Sequence, residues 1–128
     1  MSSAVLDASA LLALLNGESG GELVAAALGQ GASIGAVNLS EVVAKLAELG
    51  VPEADVRQAV EPLGLDVVDF DADLALLSGM MRASTRQLGL SLGECACLAL
   101  GRRPGLPVLT ADRTWVGLGL HAQVQAIL

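Results

Sequence analysis

The sequence predicts a single α/β domain over residues 1–128, in which helices cover both faces of a mainly parallel sheet of about five short strands. Short apolar runs alternate with helical stretches along the chain, which is typical of successive strand–helix–strand units. The 128 residues are 53% hydrophobic, which provides for one substantial core and excludes a disordered chain. No linker, internal repeat or low-complexity segment divides the chain.

The first strand and helix are predicted at the start of the chain, with an acid between them. Residues 4–6 have the length of a buried strand, and residues 10–15 have the leucine density of a helix. Asp7 stands where a parallel strand ends and its crossover helix begins, the edge at which open α/β sheets bind ligands. Ser9 is available as the helix cap. A carboxylate buried there needs a compensating cation or a helix N-terminus.

The remaining elements continue the alternation. A helix at 22–28 is predicted to end at Gly29, Pro52 to start a further helix, and Asp71 to cap a long helix that runs through residue 88. Two more helices are predicted at about 38–48 and at 95–100. Strands are predicted at 32–37, 65–70, 106–110 and, as an edge strand, 121–128.

The charge of the chain restricts its function. Fourteen acids against seven bases give a net charge of −7. A module that binds nucleic acid only by neutralising phosphates should be basic, so the charge disfavours a passive DNA-binding module. An acidic protein can still act on nucleic acid if metal ions supply the positive charge at the point of contact.

The two cysteines and the apolar stretches predict a cytoplasmic protein without a membrane segment. Cys95 and Cys97 are two residues apart on a predicted helix and face different directions, so they can neither pair nor chelate together. They are interpreted as core residues of a reduced, cytosolic protein. The start of the chain lacks the basic residues of a secretory signal. The longest uncharged window, residues 23–40, is broken by glycines and is not a membrane span.

Four acids are predicted to share one edge of the sheet. Asp7 ends the first strand, Asp112 lies two residues past the fourth, and Glu41 and Glu94 stand in the first turns of helices. With crossovers of the usual hand, all four meet at the same edge. Taken singly, each can be a helix cap, since Asn38-x-x-Glu41 and Ser91-x-x-Glu94 both have capping-box spacing.

Taken together, the four acids favour a metal site. Like charges at one edge raise one another's pKa and destabilise the fold. A hard divalent cation with oxygen ligands removes that conflict. Such a site can generate a hydroxide nucleophile and stabilise the charge that develops during phosphodiester cleavage.

Four motifs carry these acids, in this order: Val5-Leu6-Asp7-Ala8-Ser9-Ala10-Leu11, Asn38-Leu39-Ser40-Glu41-Val42, Ser91-Leu92-Gly93-Glu94-Cys95-Ala96-Cys97-Leu98-Ala99-Leu100 and Val108-Leu109-Thr110-Ala111-Asp112-Arg113. In this order and at this length, the chain resembles the PIN domain, specifically the VapC-like toxins of bacterial toxin–antitoxin pairs. The resemblance covers nearly the whole chain. It implies a three-layer α/β/α fold and a Mg²⁺- or Mn²⁺-dependent endoribonuclease. It also implies an RNA substrate, a homodimer, and a small cognate antitoxin that holds the toxin inactive.

The resemblance also assigns the site residues. Asp7, Glu41 and Asp112 match the metal-site acids of the family directly. Glu94 stands where the family usually has Asp, and it keeps the charge while adding a methylene group. Ser9 and Thr110 match positions that, in the family, assist the acids through hydrogen bonds.

Three arginines are candidate contacts to a nucleic acid. Arg82 and Arg86 are four apart, on one helix face just before the Glu94 motif, and are predicted to guide RNA. Arg113 is a further possible RNA contact. Trp115 could stack on a base, but without other aromatic residues around it packing is the favoured role. His121 is far along the chain from every motif, and a surface or core role is favoured.

Two other functions were considered. Phosphoryl transfer through an aspartyl-phosphate requires a lysine after a late strand, and the only lysine, Lys45, lies inside the third helix. The other alternative is a catalytically weak or inactive PIN-like binding scaffold, in which the four acids are only caps. Metal titration separates that scaffold from a nuclease, because caps bind no Mn²⁺.

Overall fold

The sheet is parallel throughout the part of the chain that the computed structural model describes, residues 2–118 and 122–128. Its strands are β1 (Ala4–Leu6), β2 (Ala32–Gly35), β3 (Asp66–Val68), β4 (Val108–Thr110) and β5 (Val124–Ala126). They lie in the order β3-β2-β1-β4-β5. The predicted α/β class and parallel sheet are confirmed.

Helices cover both faces of this sheet. They are α1 (Ala8–Leu15), α2 (Gly21–Gln30), α3 (Ala36–Glu48), α4 (Glu53–Val60), α5 (Ala72–Thr85) and α6 (Leu92–Arg102). Successive side chains of β1 point to opposite faces. Val5 packs among residues of α5 and α6, such as Leu98, whereas Leu6 packs among residues of α1 and α2 on the other face. The chain therefore forms the predicted three layers.

Several predicted boundaries were wrong. The helix α2 runs past Gly29 to Gln30, and Gly31 ends it with a positive φ of 97°. The helix α3 begins at Ala36 instead of Asn38, because Gly35 takes the N-cap position, so β2 is shorter than predicted. The predicted long helix divides into α5 and a short 3₁₀ helix, Arg86–Leu88.

The remaining sequence expectations have mixed outcomes. Asp71 caps α5 as predicted, since its side chain accepts from the N–H group of Leu74. Cys95 and Cys97 are buried free thiols, as predicted. The edge strand predicted over residues 121–128 is confirmed at Val124–Ala126. His121 lies outside the described residues. Across those residues, every helix is too short or too polar to cross a membrane.

Candidate functional site

The four predicted acids line one cavity of about 250 Å³ at the carboxyl ends of β1 and β4. Each acid reaches this edge from a different element: Asp7 follows β1, Glu41 lies on α3, Glu94 lies on α6, and Asp112 follows β4. The complete lining consists of Asp7, Ala8, Ser9, Leu12, Asn38, Glu41, Lys45, Glu94, Asp112 and Trp115. The structure thus brings together acids that are up to 105 residues apart in the sequence.

Asp7 is buried and is itself the N-cap of α1. Its Oδ1 atom accepts hydrogen bonds from the N–H group of Ala10 at 2.8 Å and from the hydroxyl of Ser9 at 2.7 Å. The expectation that Ser9 would cap this helix was wrong, because Ser9 lies within its first turn. Burial raises the pKa of Asp7, and the hydrogen bonds from Thr110, Ser9 and Ala10 act against that rise.

The hydroxyls of Ser9 and Thr110 link Asp7 to the loop that carries Asp112. The Oγ atom of Ser9 accepts from the N–H group of Ala111 at 2.9 Å and lies 3.3 Å from the Oγ1 atom of Thr110. Thr110 in turn accepts from the N–H group of Asp112 at 3.0 Å. These bonds fix the position of α1 relative to the loop after β4, and therefore the positions of the two acids.

Asp112 caps the short 3₁₀ helix Arg113–Trp115. Its Oδ1 atom accepts from both the hydroxyl of Thr114, at 2.6 Å, and the N–H group of Thr114, at 2.9 Å. These bonds stabilise the ionised form and lower the pKa of Asp112. The bonds from Thr114 therefore favour the carboxylate form of Asp112.

Glu94 forms the predicted capping box at the start of α6. The N–H group of Glu94 donates to the Oγ atom of Ser91 at 3.1 Å, and the N–H group of Ser91 donates to the Oε2 atom of Glu94 at 3.2 Å. Desolvation raises the pKa of Glu94, and the negative charges of Asp112, Glu41 and Asp7 raise it further. Glu94 is thus both a cap and a member of the acidic cluster.

Glu41 is not part of a capping box. Asn38 lies inside the first turn of α3, where its side-chain amide donates to the Oε1 atom of Glu41 at 2.8 Å. The same amide donates to the carbonyl of Gly93 at 3.0 Å. The spacing of Asn38 and Glu41 was noticed in the sequence, but the contact with α6 depends on tertiary packing.

Lys45 is the cavity residue that the sequence reasoning missed. It lies one helical turn after Glu41 and lines the cavity, although no ion pair involves it within residues 2–118 and 122–128. The signal was the i,i+4 spacing from Glu41, which places both side chains on one face of α3. Lys45 was considered only as the lysine of a phosphoryl-transfer site.

The predicted RNA contacts lie outside the cavity lining. Arg82 is half-buried and donates to the backbone carbonyl of Leu90, so it connects α5 to the segment before α6. Arg86 and Arg113 are exposed. Trp115 is 3% exposed and belongs to the core beside α5 and α6, which confirms its packing role.

The donor atoms of the cavity fit a hard divalent cation. Its lining supplies four carboxylates and the hydroxyl of Ser9, all of which are oxygen donors. The amide oxygen of Asn38 is buried and has no hydrogen-bond partner among the described residues. In the side-chain conformations of this structure, no group of three Asp, Glu, His or Cys residues within the described ranges is close enough together to bind one metal ion. Three of the acids point their carboxylates at helix N-termini. Mg²⁺ typically uses one or two carboxylates and keeps several waters, so the set fits its chemistry.

Known proteins share the family and the fold of this chain. The family model of the PIN domain matches residues 4–118. DNA-bound VapBC from Salmonella typhimurium has 19% identity and a TM-score of 0.78, with 100% of each chain covered. VapBC2 from Rickettsia felis, bound to a DNA fragment from its promoter, has 12% identity and a TM-score of 0.77, with 96% of this chain and 97% of that chain covered.

A third similar structure is VapC20 from Mycobacterium tuberculosis, described as a toxin that cleaves the sarcin-ricin loop. It has 19% identity and a TM-score of 0.74, with 91% of this chain and 95% of that chain covered. At these identities the likeness shows a shared fold. No protein among curated sequences matches the chain.

Proposed function

This chain belongs to the PIN domain family, and we propose that it is a metal-dependent endoribonuclease and the toxin of a toxin–antitoxin pair. The observation that carries the proposal is the convergence of Asp7, Glu41, Glu94 and Asp112 on one cavity at the carboxyl edge of the sheet. The description of VapC20 as an RNA-loop-cleaving toxin supports RNA as the substrate class.

Asp7, Glu41, Glu94 and Asp112 would hold Mg²⁺ or Mn²⁺ through their carboxylates. The bound ion would polarise a phosphate oxygen and lower the pKa of a water molecule. The protein's own contribution is positional. Ser9 and Thr110 hold the first and last acids at a fixed separation, and the α6 capping box places Glu94 at the same rim.

Lys45 is the side chain best placed to bind the RNA backbone at the cavity. It contributes the one cationic group among the described residues that line the cavity, and its ammonium is not held by an ion pair there. RNA carries one negative charge per nucleotide, so an acidic cavity needs a cation beside the metal to accept it. Arg86 and Arg113 are exposed and can serve as contacts further along the strand.

The partner we propose is a cognate antitoxin with a basic segment that enters the cavity. The VapBC and toxin–antitoxin structures similar to this chain support an antitoxin partner, and the net charge of −7 and the acidic cavity favour a basic segment in it. An arginine placed among the four acids would pair with them and displace the metal. Antitoxin and Mn²⁺ should then weaken each other's binding by the same factor. Calorimetric titration of the antitoxin with and without saturating Mn²⁺ tests this, and equal affinities would mean that inhibition works by blocking RNA access.

We propose that the chain is a homodimer that associates through α5. Its exposed face carries small and apolar residues at helical spacing: Ala72, Leu76, Gly79, Met80 and Ala83. Leu76 and Met80 are each 68% exposed, which is unusual for two large apolar side chains on neighbouring turns. Sedimentation should give a dimer for the wild type and a monomer for Met80→Glu. A wild-type monomer would contradict this assignment.

The function is tested by incubating the purified protein with total RNA. We expect cleavage with Mg²⁺ or Mn²⁺ and none with EDTA. The capping contacts of Asp7, Glu94 and Asp112 support the alternative of a binding scaffold, in which the acids serve only the helices. For a scaffold, no RNA would be cleaved and Mn²⁺ would not change the melting temperature.

A further inference from the structure

Asn38 is a buried polar side chain whose contacts are directed at Glu41. It is 2% exposed and lies in the first turn of α3, within the lining of the cavity. It is not a helix cap, because Gly35 occupies the N-cap position. Its presence in the core therefore needs another physical reason.

Both amide hydrogens of Asn38 are used. One hydrogen bond goes to the Oε1 atom of Glu41 at 2.8 Å, and the other goes to the carbonyl of Gly93 on α6 at 3.0 Å. The opposite orientation of the amide would place its oxygen against a carboxylate and a carbonyl, so the nitrogen must face these two acceptors. Asn38 thus connects the acid on α3 to the first turn of α6.

Gly93 completes the confinement of Glu41. A Cβ atom at residue 93 would lie 2.9 Å from Oε2 and 3.1 Å from Cδ of Glu41, so only glycine lets the carboxylate lie this close to α6. The first turn of α6 has free N–H groups and a positive potential, which favour a carboxylate there. Asn38 donates to Glu41 on one side, and Gly93 in the first turn of α6 lies against it on the other.

The unpaired amide oxygen of Asn38 indicates that this position needs the two N–H donors of the side chain, not its oxygen. This oxygen is buried and has no hydrogen-bond partner among the described residues. An unsatisfied buried acceptor destabilises a fold, and an isosteric leucine would avoid that penalty. A residue kept only for packing would be apolar. The donors to Glu41 and Gly93 are what leucine lacks.

We propose that Asn38 is a positioning residue that fixes the Glu41 carboxylate against the N-terminus of α6. Its effect on metal binding rests on the proposed function, whereas the hydrogen bond itself does not. Groups that orient metal-binding carboxylates typically change metal affinity by 10- to 100-fold when they are removed. Asn38 would therefore act on Mn²⁺ affinity and on the chemical step, with little effect on RNA binding.

A double-mutant cycle tests the contact without reference to activity. Unfolding by urea is measured for the wild type, Asn38→Leu, Glu41→Ala and the double variant. We expect the double variant to lose less stability than the sum of the single losses. Additive losses would overturn the proposal. If Asn38→Leu does not fold, Asn38→Asp replaces it. Glu41→Gln in the same chain should then restore part of the lost stability, because the bond between residues 38 and 41 is re-formed with donor and acceptor exchanged while the bond to the Gly93 carbonyl stays lost. No restoration at all would equally overturn the proposal.

Mn²⁺ titration and RNA cleavage then test the consequence. Asn38→Leu should bind Mn²⁺ at least tenfold more weakly and lower kcat with KM for RNA unchanged. Ser78→Ala is the matched control, because Ser78 is the other buried side chain with an unpaired polar atom in the described part of the chain and lies on α5, outside the cavity. It should leave Mn²⁺ affinity unchanged. Equal Mn²⁺ affinity in Asn38→Leu and wild type would refute the positioning role, whereas a wild type that neither binds Mn²⁺ nor cleaves RNA would refute the proposed function alone.

Discussion

The carboxylate of Glu41 lies directly against the backbone of Gly93, at the distance where a Cβ atom would be 2.9 Å from its Oε2 atom. The contact joins the second turn of α3, which carries Glu41, to the first turn of α6, which carries Glu94. It also explains why a helix carries a glycine in its first turn, where alanine would favour helix formation.

Gly93→Ala should displace Glu41 without unfolding the protein. The atoms that a new Cβ would meet belong to the end of a flexible side chain, which can move away. Alanine also favours the helix by up to about 1 kcal/mol. We expect unchanged or higher stability in urea, with Mn²⁺ affinity lowered about tenfold.

Gly29→Ala is the matched control for that substitution. Gly29 lies inside α2, and a Cβ there meets nothing within 4 Å. The variant should gain up to about 1 kcal/mol in stability and bind Mn²⁺ like the wild type. A loss of Mn²⁺ affinity in both variants would mean that the effect of Gly93→Ala is not due to Glu41.

The negative charge of Asp7 should destabilise the fold at neutral pH. Its pKa is raised in the folded state by burial, so the native protein binds a proton more readily than the unfolded chain does. Asp7→Asn keeps the acceptor that caps α1 and removes the charge. It should raise the free energy of unfolding at pH 7. That gain should shrink as the pH falls through the raised pKa and vanish below the ordinary pKa of aspartate.

Asp7→Ala distinguishes the charge of Asp7 from its cap. Alanine removes both, and the lost N-cap costs about 1 kcal/mol. This variant should therefore be less stable than Asp7→Asn at every pH. Equal urea stability of the two variants would show that the hydrogen bond to Ala10 contributes nothing.

Two substitutions distinguish the capping role of Glu94 from the role of its charge. Glu94→Gln retains a side chain that reaches the N–H group of Ser91, but loses the charge. Because desolvation and the neighbouring acids raise the pKa of Glu94, loss of the charge should leave the melting temperature at neutral pH equal or higher, while Mn²⁺ affinity should fall several-fold. Glu94→Asp retains the charge but is too short for the capping box, so it should melt lower and still bind Mn²⁺. If Glu94→Gln bound Mn²⁺ with wild-type affinity, Glu94 would serve only as a helix cap.

Lys45→Ala should weaken RNA binding at the cavity. KM for RNA should rise several-fold with kcat unchanged, because the lost contact is to phosphate. The slope of log affinity against log salt should fall by about 0.7 for one phosphate contact on single-stranded RNA. Arg102→Ala removes another exposed cation, at the far end of α6, and should change neither quantity. If both variants changed KM and the salt dependence equally, the effect would be due to the net charge of the protein and not to a contact of Lys45.

The sequence was enough to predict that helices cover both faces of the sheet and that the four acids lie at one of its edges. These predictions depend on apolar runs and helix starts, which are local patterns, and on crossover handedness, which is general to parallel sheets. It could not decide which residue caps α1, since Asp7 and Ser9 are both good caps and only the backbone conformation distinguishes them. The start of α3 was misplaced because Gly35 has no side chain to mark a cap. The bond from Asn38 to Gly93 spans 55 residues and requires α3 to pack on α6.

The most direct test of the account compares RNA cleavage in Mg²⁺ by the wild type, Asp7→Asn and Asp71→Asn. Both variants lose one carboxylate that caps a helix, but only Asp7 lines the cavity. The account predicts that the wild type and Asp71→Asn cleave RNA in Mg²⁺ and not in EDTA, while folded Asp7→Asn gives no cleavage. Cleavage by Asp7→Asn at the wild-type rate would contradict it.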